Sequence, residues 1–402
     1  MRILMLTSED FNTPNSNNHL SLTLIEDMLS AGLDVYLICR EKTNSDGSEC
    51  IPVQLKDNNG FSFDMVKMPR INKNHFVRRY LDGVKYAYRA MKKWIRHRDI
   101  DAVLIQSNPN SIFNAVLLKL FLRKPIVYNV YDIFPGHAHK IGVIKSALLF
   151  NLFRNIQKVL YSLCTRIVAM SEDMKEALAA QGVKSDKITV ISNWFDTDLF
   201  EVKPYEKNKF IKKYNLPIGK FYVQFAGVLG YVFDYDMFIS AAQLLMPYKD
   251  IEFLLIGDGN LRDTVLREIE IRGVTNIRYY PWQPLDIIAD VYSACSVGII
   301  PLKKGVIGNG VPSKACQLMA CARVVLNVVE QSNYSRMFES ENIGISVTDY
   351  NPQTVRDKIL YLYNNPEIVE KTGSNARDYA FANFTREKNT KKFVKLLREL
   401  ER

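Results

Sequence analysis

The chain has 402 residues, 47% hydrophobic and 24% charged, with 53 lysines and arginines against 43 aspartates and glutamates. That length exceeds what one core usually serves, so two or more domains are expected, and the ordinary composition excludes a disordered, collagen-like or fixed-period repeat protein. The longest apolar stretches, such as SALLFNLF (146–153), fall far short of the ~20 residues that a membrane-spanning helix needs, and the start MRILMLTSED reads as a first strand and not as a signal peptide.

In chain order, strand candidates run RILMLTS (2–8), DVYLICR (34–40), AVLIQS (102–107), PIVYNVYD (125–132), RIVAMS (166–171) and ITVISN (188–193). Helical patterns separate them at 20–31, 75–97, 110–122, 145–163 and 172–181. Near-continuous apolar strands alternating with helices predict a parallel sheet covered on both faces. The pattern restarts with FYVQFAG (221–227), EFLLIGD (252–258), IRYYP (277–281), VGIIPL (297–302), RVVLNVV (323–329) and GISV (344–347). The fold class expected is α/β, as two Rossmann-like, doubly wound parallel-sheet domains facing a cleft. The domains would be 1–195 and 196–380, joined through the polar stretch 192–209. A last helix, with Phe393, Leu396, Leu397 and Leu400 on one side, would cross back to the first domain within 381–402.

The net charge of +10 is unevenly spread. Residues 75–97 place apolar side chains at 77, 80/81, 84, 87/88, 91 and 94/95, a helical stripe, with Arg78, Arg79, Lys85, Arg89, Lys92, Lys93 and Arg96 largely off it. Such a helix is a solvated surface helix or a contact for anionic lipid; nucleic acid is disfavoured because no recognised motif accompanies it. The six cysteines are scattered with no C-x-x-C pair, so they read as small buried hydrophobes in a reducing cytosol. The five histidines offer no H-x-x-x-H pair; His137 and His139 would share one side of a strand, without making a metal site.

Three strand–loop–helix junctions in the second half carry glycines: Gly227 and Gly230, then Gly257 and Gly259, then Gly305, Gly308 and Gly310 ahead of Ser313 and Lys314. Backbone N–H groups at such junctions attract anions. Pro312 and Ser313 announce a helix start, with Ser313 as its N-cap. Lys314 then stands in the first turn, where the helix dipole disfavours a cation by roughly 0.3–1 kcal/mol. The placement becomes favourable once an anion is shared by lysine and helix, and a diphosphate carries enough charge to do this. Arg262, Lys303 and Lys304 are further cations near these loops. In the first half, YDIFPG (131–136) leaves a strand with Asp132 at its carboxyl end, and the polar loop SEDFNTPNSNNH (8–19) follows the first strand. Loops on a rigid scaffold tend to carry binding roles.

These motifs together resemble the GT-B glycosyltransferases of family 4, over nearly the whole chain. The stretch 171–200, ending N-x-x-D-x-x-x-F at Asn193, Asp196 and Phe200, is similar to the family's end-of-first-domain signature. FAGVLG (225–230), FLLIGDGNLRDTVL (253–266) and PWQPLDIIADVYSACSVGIIPL (281–302) resemble its donor domain. VPSKACQLMACARVVL (311–326) is similar to a subgroup form common in bacterial O-antigen, capsule and exopolysaccharide assembly. The resemblance implies transfer of a sugar, with retention, from a UDP- or GDP-linked donor to a glycan or lipid-linked saccharide in cell-surface polysaccharide biosynthesis. It implies donor contacts at Gly227, Gly230, Gly257, Asn309, Gly310, Ser313, Lys314 and Gln317, and Asp132 and Lys314 at the reacting centre. Acceptor contacts would fall to Asn17, His19 and His137. No cofactor or metal is implied, no nucleic acid, and a cytoplasmic place with peripheral contact to the anionic inner face of the membrane. Asn309 and Gln317 stand where the broader family often has two glutamates, and Val228 and Phe233 occupy the region of a common basic pair. A non-catalytic GT-B partner subunit and a nucleotide-sugar epimerase are the competing readings.

Overall fold

Each strand candidate forms a strand, because each is a short apolar run that can be buried on both faces of a sheet. The computed structural model describes residues 1–11, 16–42, 51, 53–69, 76–108, 110–140, 142, 144–200, 202–309 and 313–401. The chain divides into two units, Met1–Ser192 with Glu387–Arg402, and Asn193–Arg386.

In the first unit, β1 (Arg2–Leu6), β2 (Asp34–Lys42), β3 (Phe61–Met68), β4 (Ala102–Gln106), β5 (Ile126–Val130), β6 (Arg166–Ala169) and β7 (Ile188–Val190) form one parallel sheet. Its order is β3-β2-β1-β4-β5-β6-β7, so the chain reverses direction across the sheet between β1 and β4. The central strands β1, β4 and β5 are buried almost throughout. β3 was not among the strand candidates. It is an edge strand with four consecutive half-buried residues, so it lacks the apolar run of its neighbours.

The helices of this unit are α1 (Ser16–Ser30), α2 (Val53–Lys56), α3 (Phe76–Trp94), α4 (Ser111–Phe121), α5 (Gly136–Lys140), α6 (Ala147–Leu163) and α7 (Glu172–Ala180). The hydroxyl of Ser171 caps α7 by accepting from Met174 N at 3.1 Å. α3 corrects the sequence reading in part: it buries Ala87 and Trp94 of the apolar stripe, but its buried face is turned towards Asp82, Gly83, Tyr86 and Ala90. Asp82, Gly83, Tyr86, Ala87, Ala90 and Trp94 are buried, whereas Leu81, Val84 and Tyr88 are exposed. Specific long-range partners decide this orientation. Asp82 pairs with Arg40 at 2.9 Å, Tyr86 donates to the Thr7 carbonyl at 2.5 Å, and Gly83 admits the Asn110 side chain where a Cβ would collide. The side chains of Arg78 and Arg79 lie outside the described residues.

In the second unit, α8 (Lys209–Tyr214), β8 (Phe221–Ala226), α9 (Tyr235–Leu244), β9 (Ile251–Ile256), α10 (Arg262–Ile271), β10 (Ile277–Tyr280), α11 (Ile288–Ser293), β11 (Val297–Pro301), α12 (Ser313–Ala320), β12 (Val324–Val328), α13 (Asn333–Ser340), β13 (Gly344–Val347), α14 (Pro352–Asn364) and α15 (Pro366–Asn383) follow in turn. The strands form a second parallel sheet, β10-β9-β8-β11-β12-β13, which reverses direction between β8 and β11. Phe225, Phe233, Phe238 and Phe253 build an aromatic core on one of its faces, with Phe225 and Phe233 stacked at 4.1 Å between centroids. The last helix, α16 (Arg386–Arg398), lies within the first unit from Glu387 onward, buries Phe393 and Leu397, and reaches Ala31 O with the Arg398 guanidinium.

Candidate functional site

In an open parallel sheet, ligands gather outside the carboxyl ends of the strands at the point where strand order reverses. In the second unit that point lies between β8 and β11. Gly227 follows β8, and α12, with Lys314 in its first turn, follows β11. α12 is pressed onto the sheet because Gly298 on β11 has no side chain: a Cβ there would collide with Leu318.

The lysine chain runs across a glycine seam. A Cβ on Gly227 would overlap Lys314 Cε, and a Cβ on Gly257 would overlap the Gly227 carbonyl oxygen. Gly227 and Gly257 also take φ values of +152° and +136°, which L side chains rarely adopt. The Lys314 Nζ stands 5.6 Å from the centroid of the Phe225 ring, in range of a cation–π contact. Burial pushes the ammonium down to about 8. Among the described residues no carboxylate pairs with it. A half-buried, uncompensated cation beside a helix start is arranged to receive an anion.

Two details correct the sequence reading. The glycine loops do not offer all their N–H groups. Gly227 N bonds Ile256 O at 2.8 Å, Leu229 N bonds Asp258 O at 2.9 Å, and Gly257 N bonds Tyr280 O at 3.0 Å, because the loops extend the sheet ladder past the strand ends. Gly257 therefore acts by admitting a neighbour's backbone and not as a donor to a ligand, and Gly230, in the loop after β8, is half-buried. Secondly, Ser313 is the first helical residue and not the residue before the helix. Gln317 sits on the same side of α12 one turn beyond Lys314, half-buried. Asn309 ends a short 3-10 turn, Ile307–Asn309, with its side chain outside the described residues, as is all of Gly310. Arg262 is half-buried and already paired with Asp263 at 2.8 Å and Asp258 at 3.4 Å, and Lys303 and Lys304 are exposed.

Glu330 was missed in the sequence. Its carboxylate accepts from Gly305 N at 2.8 Å and from the Tyr350 hydroxyl at 3.2 Å, so it pins the segment that runs from β11 towards α12. The signal was its place at the carboxyl end of an apolar strand, in NVVE (327–330).

In the first unit, Asp132 is exposed just beyond β5, and His19 is half-buried on α1. The side chains of Asn17 and His137 lie outside the described residues. His137 and His139 stand on α5, not on a strand, because the run after β5 turns at once into a helix. His139 Nδ1 is 2.6 Å from Ile144 O and its ring lies 4.8 Å from Phe150, so this histidine holds its own turn together. Beside these residues, Asn129 Nδ2 donates to Gln106 Oε1 at 2.7 Å at the buried ends of β5 and β4. Among the described residues no group of three or more His, Cys, Asp or Glu is placed to hold a metal ion.

Known proteins match over the whole length. The family model described as Glycosyltransferase Family 4 matches residues 20–199, and that described as Glycosyl transferases group 1 matches residues 206–379. A Pseudomonas aeruginosa protein described as "Probable glycosyltransferase WbjE" is 34% identical over 286 residues, which cover 69% of this chain and 70% of that protein. Among solved structures, Anabaena HepE in complex with UDP-glucose is 14% identical, covers 99% of this chain and 100% of its own, and has a TM-score of 0.75. WaaG, a glycosyltransferase involved in lipopolysaccharide biosynthesis, is 12% identical, covers 98% and 99%, and has a TM-score of 0.68. The edge of the second sheet that carries Gly227 and Lys314 thus stands in a chain that belongs to glycosyltransferase family 4, has the GT-B fold of two Rossmann-like units, and is a transferase of glycosyl groups.

Proposed function

We propose that the donor is a nucleoside diphosphate sugar, with UDP or GDP as its nucleotide, and that its diphosphate lies against the first turn of α12. The observation that carries this reading is Lys314: an ammonium half-buried over Phe225, laid across Gly227, and opposed by no carboxylate among the described residues. The UDP-glucose held by the structurally similar HepE supports a uridine donor. Gln317, one turn on, takes the ribose through its amide, Asn309 the donor sugar, and Gly230 and Ser313 the phosphate oxygens.

Transfer then proceeds with retention. The acceptor hydroxyl oxygen bonds the anomeric carbon as the bond from that carbon to the β-phosphate oxygen breaks. The bonding pair leaves with the phosphate, and the same phosphate group takes the acceptor's proton. Lys314 and the α12 dipole stabilise the charge that grows on the diphosphate, so the protein acts mainly by positioning and electrostatics. No metal or cofactor is part of this proposal, since the lysine and helix end supply the countercharge. Asp132, with Asn17 and His19 of α1 and His137 of α5, takes the acceptor. That acceptor is a glycan or lipid-linked saccharide of cell-surface polysaccharide assembly, on the cytoplasmic side, with the basic α3 near anionic lipid; the role of WaaG in lipopolysaccharide biosynthesis supports this class.

Calorimetric titration with UDP, GDP and their sugars tests the reading. Lys314→Ala should weaken diphosphate binding at least ~30-fold, the loss of a charge-assisted contact of about 2 kcal/mol. Equal affinity in the two proteins would remove the basis of the proposal.

A further inference from the structure

The segment that joins β11 to α12 is fixed at two places before it reaches Asn309. The first is a zipper with the loop after β8. Leu302 bridges Phe233 in antiparallel sense, Lys303 N donates to Val232 O at 3.0 Å, and Asp234 N donates to Pro301 O at 3.0 Å. Leu302 N donates to Val328 O at 3.0 Å, which prolongs the pairing of β11 with β12. The second is Glu330, just past β12, whose Oε2 accepts from both Gly305 N and the Tyr350 hydroxyl. Tyr350 follows β13, so one carboxylate oxygen ties together the chain beyond β11, β12 and β13, and the zipper adds the loop after β8.

Glu330 is half-buried, and among the described residues no lysine, arginine or histidine pairs with it. By charge alone such a carboxylate is misplaced at a sheet edge that receives an anion. What it provides is two charge-assisted hydrogen bonds, each roughly twice as strong as a neutral one. Burial and then the Glu330 charge hold the Tyr350 phenol above its usual range, so it stays a donor. Past Gly305, Val306 and Ile307 are buried and the short turn Ile307–Asn309 follows. The bond to Gly305 thus fixes where this run begins. α12 has a separate hold, because Ala315, Cys316, Leu318 and Met319 are buried, so Lys314 is placed by the core.

We infer that Glu330 is a positioning residue for the donor sugar: by holding Gly305 it sets the path of the run that ends at Asn309. The inference rests on the function proposed above, in which Asn309 takes the sugar and Lys314 the diphosphate. A misplacement of about 1 Å, caused away from the reacting atoms, costs on the order of 100-fold in such sites. A tie that served stability alone would weaken every ligand alike.

Calorimetric titration compares UDP with UDP-glucose and UDP-N-acetylglucosamine, and GDP with GDP-mannose; the sugar nucleotide that the wild-type chain binds best is then used for the variants. Glu330→Ala should bind the free diphosphate within ~3-fold of wild type and the sugar nucleotide ~30-fold more weakly. Glu330→Gln, which keeps an oxygen able to accept from Gly305 N, should return to within ~5-fold of wild type. Tyr350→Phe removes one donor to the same oxygen and leaves the run itself unchanged. It should show the same selective loss at ~3-fold, and it carries the test if Glu330→Ala does not fold. Equal weakening of both ligands in Glu330→Ala, wild-type affinity for the sugar nucleotide, or Glu330→Gln as impaired as Glu330→Ala would each overturn the inference. So would a wild-type chain that binds UDP or GDP but none of the three sugar nucleotides. A wild-type chain that binds neither diphosphate removes the donor reading as well, so the two failures are told apart.

Discussion

Lys314 offers the sharpest test of the site because its electrostatic state is set by burial. The folded-state value falls from 10.5 to about 8, with desolvation as the cause. A shift of that size corresponds to about 3 kcal/mol between charged and neutral forms. The sign follows from linkage: the folded chain binds the proton less tightly than the unfolded chain, so the whole penalty is present below pH 8. It declines as pH rises from about 8 to 10.5, and it is gone above that. Lys314→Met keeps an unbranched chain as far as the ε position and removes the charged group. It should therefore stabilise the ligand-free protein by up to about 3 kcal/mol at pH 7, the difference closing towards pH 10.5. Urea denaturation of both proteins across that range, compared as a difference, isolates this group from all others that titrate. A bound diphosphate restores the ammonium, so UDP binding should take up a proton near pH 8 and weaken above it, by up to ~10-fold per pH unit. Calorimetry in two buffers of unlike ionisation enthalpy reads that proton directly. A variant no more stable than wild type at pH 7, together with UDP affinity flat from pH 7 to 9.5, would refute the reasoning.

Other substitutions probe the scaffold. Gly227→Ala adds a Cβ where Lys314 Cε already lies, at a φ of +152°; we expect at least ~10-fold weaker UDP binding and a cost of roughly 1–3 kcal/mol in urea denaturation. Asp290, fully buried, accepts from Lys209 N at 2.7 Å and pairs with Lys203 at 3.1 Å, tying the start of α8 to α11. Asp290→Ala should cost roughly 3–5 kcal/mol, read as a fall in the denaturation midpoint. Cys39, Cys164, Cys295 and Cys316 are buried with their thiols pushed up to about 12, and Cys321 to about 11. At pH 8 a thiol reagent should leave these five untouched until the protein is unfolded.

What the sequence by itself determined is the architecture and the position of a lysine in the first turn of α12. Twelve of the thirteen strands among the described residues were legible as short apolar runs, since a strand buried on both faces must be apolar at nearly every position. Lys314 was legible because a cation in the first turn of a helix contradicts the local dipole and so calls for an anion. Tertiary structure decided what neighbours in the chain do not encode. β3 took its place at a sheet edge by pairing with β2, although its residues are only half apolar. α3 turned Leu81, Val84 and Tyr88 of its apolar stripe outward, because Asp82 found Arg40, Tyr86 found Thr7 and Gly83 found Asn110, partners between 27 and 79 residues away. Gly227 and Gly257 proved to be points of close approach more than hydrogen-bond donors to a ligand, since their N–H groups were consumed by strands whose order no periodicity reveals. A hydrophobic pattern states how much of an element must leave water; which side leaves, and against what, is settled by specific long-range pairs.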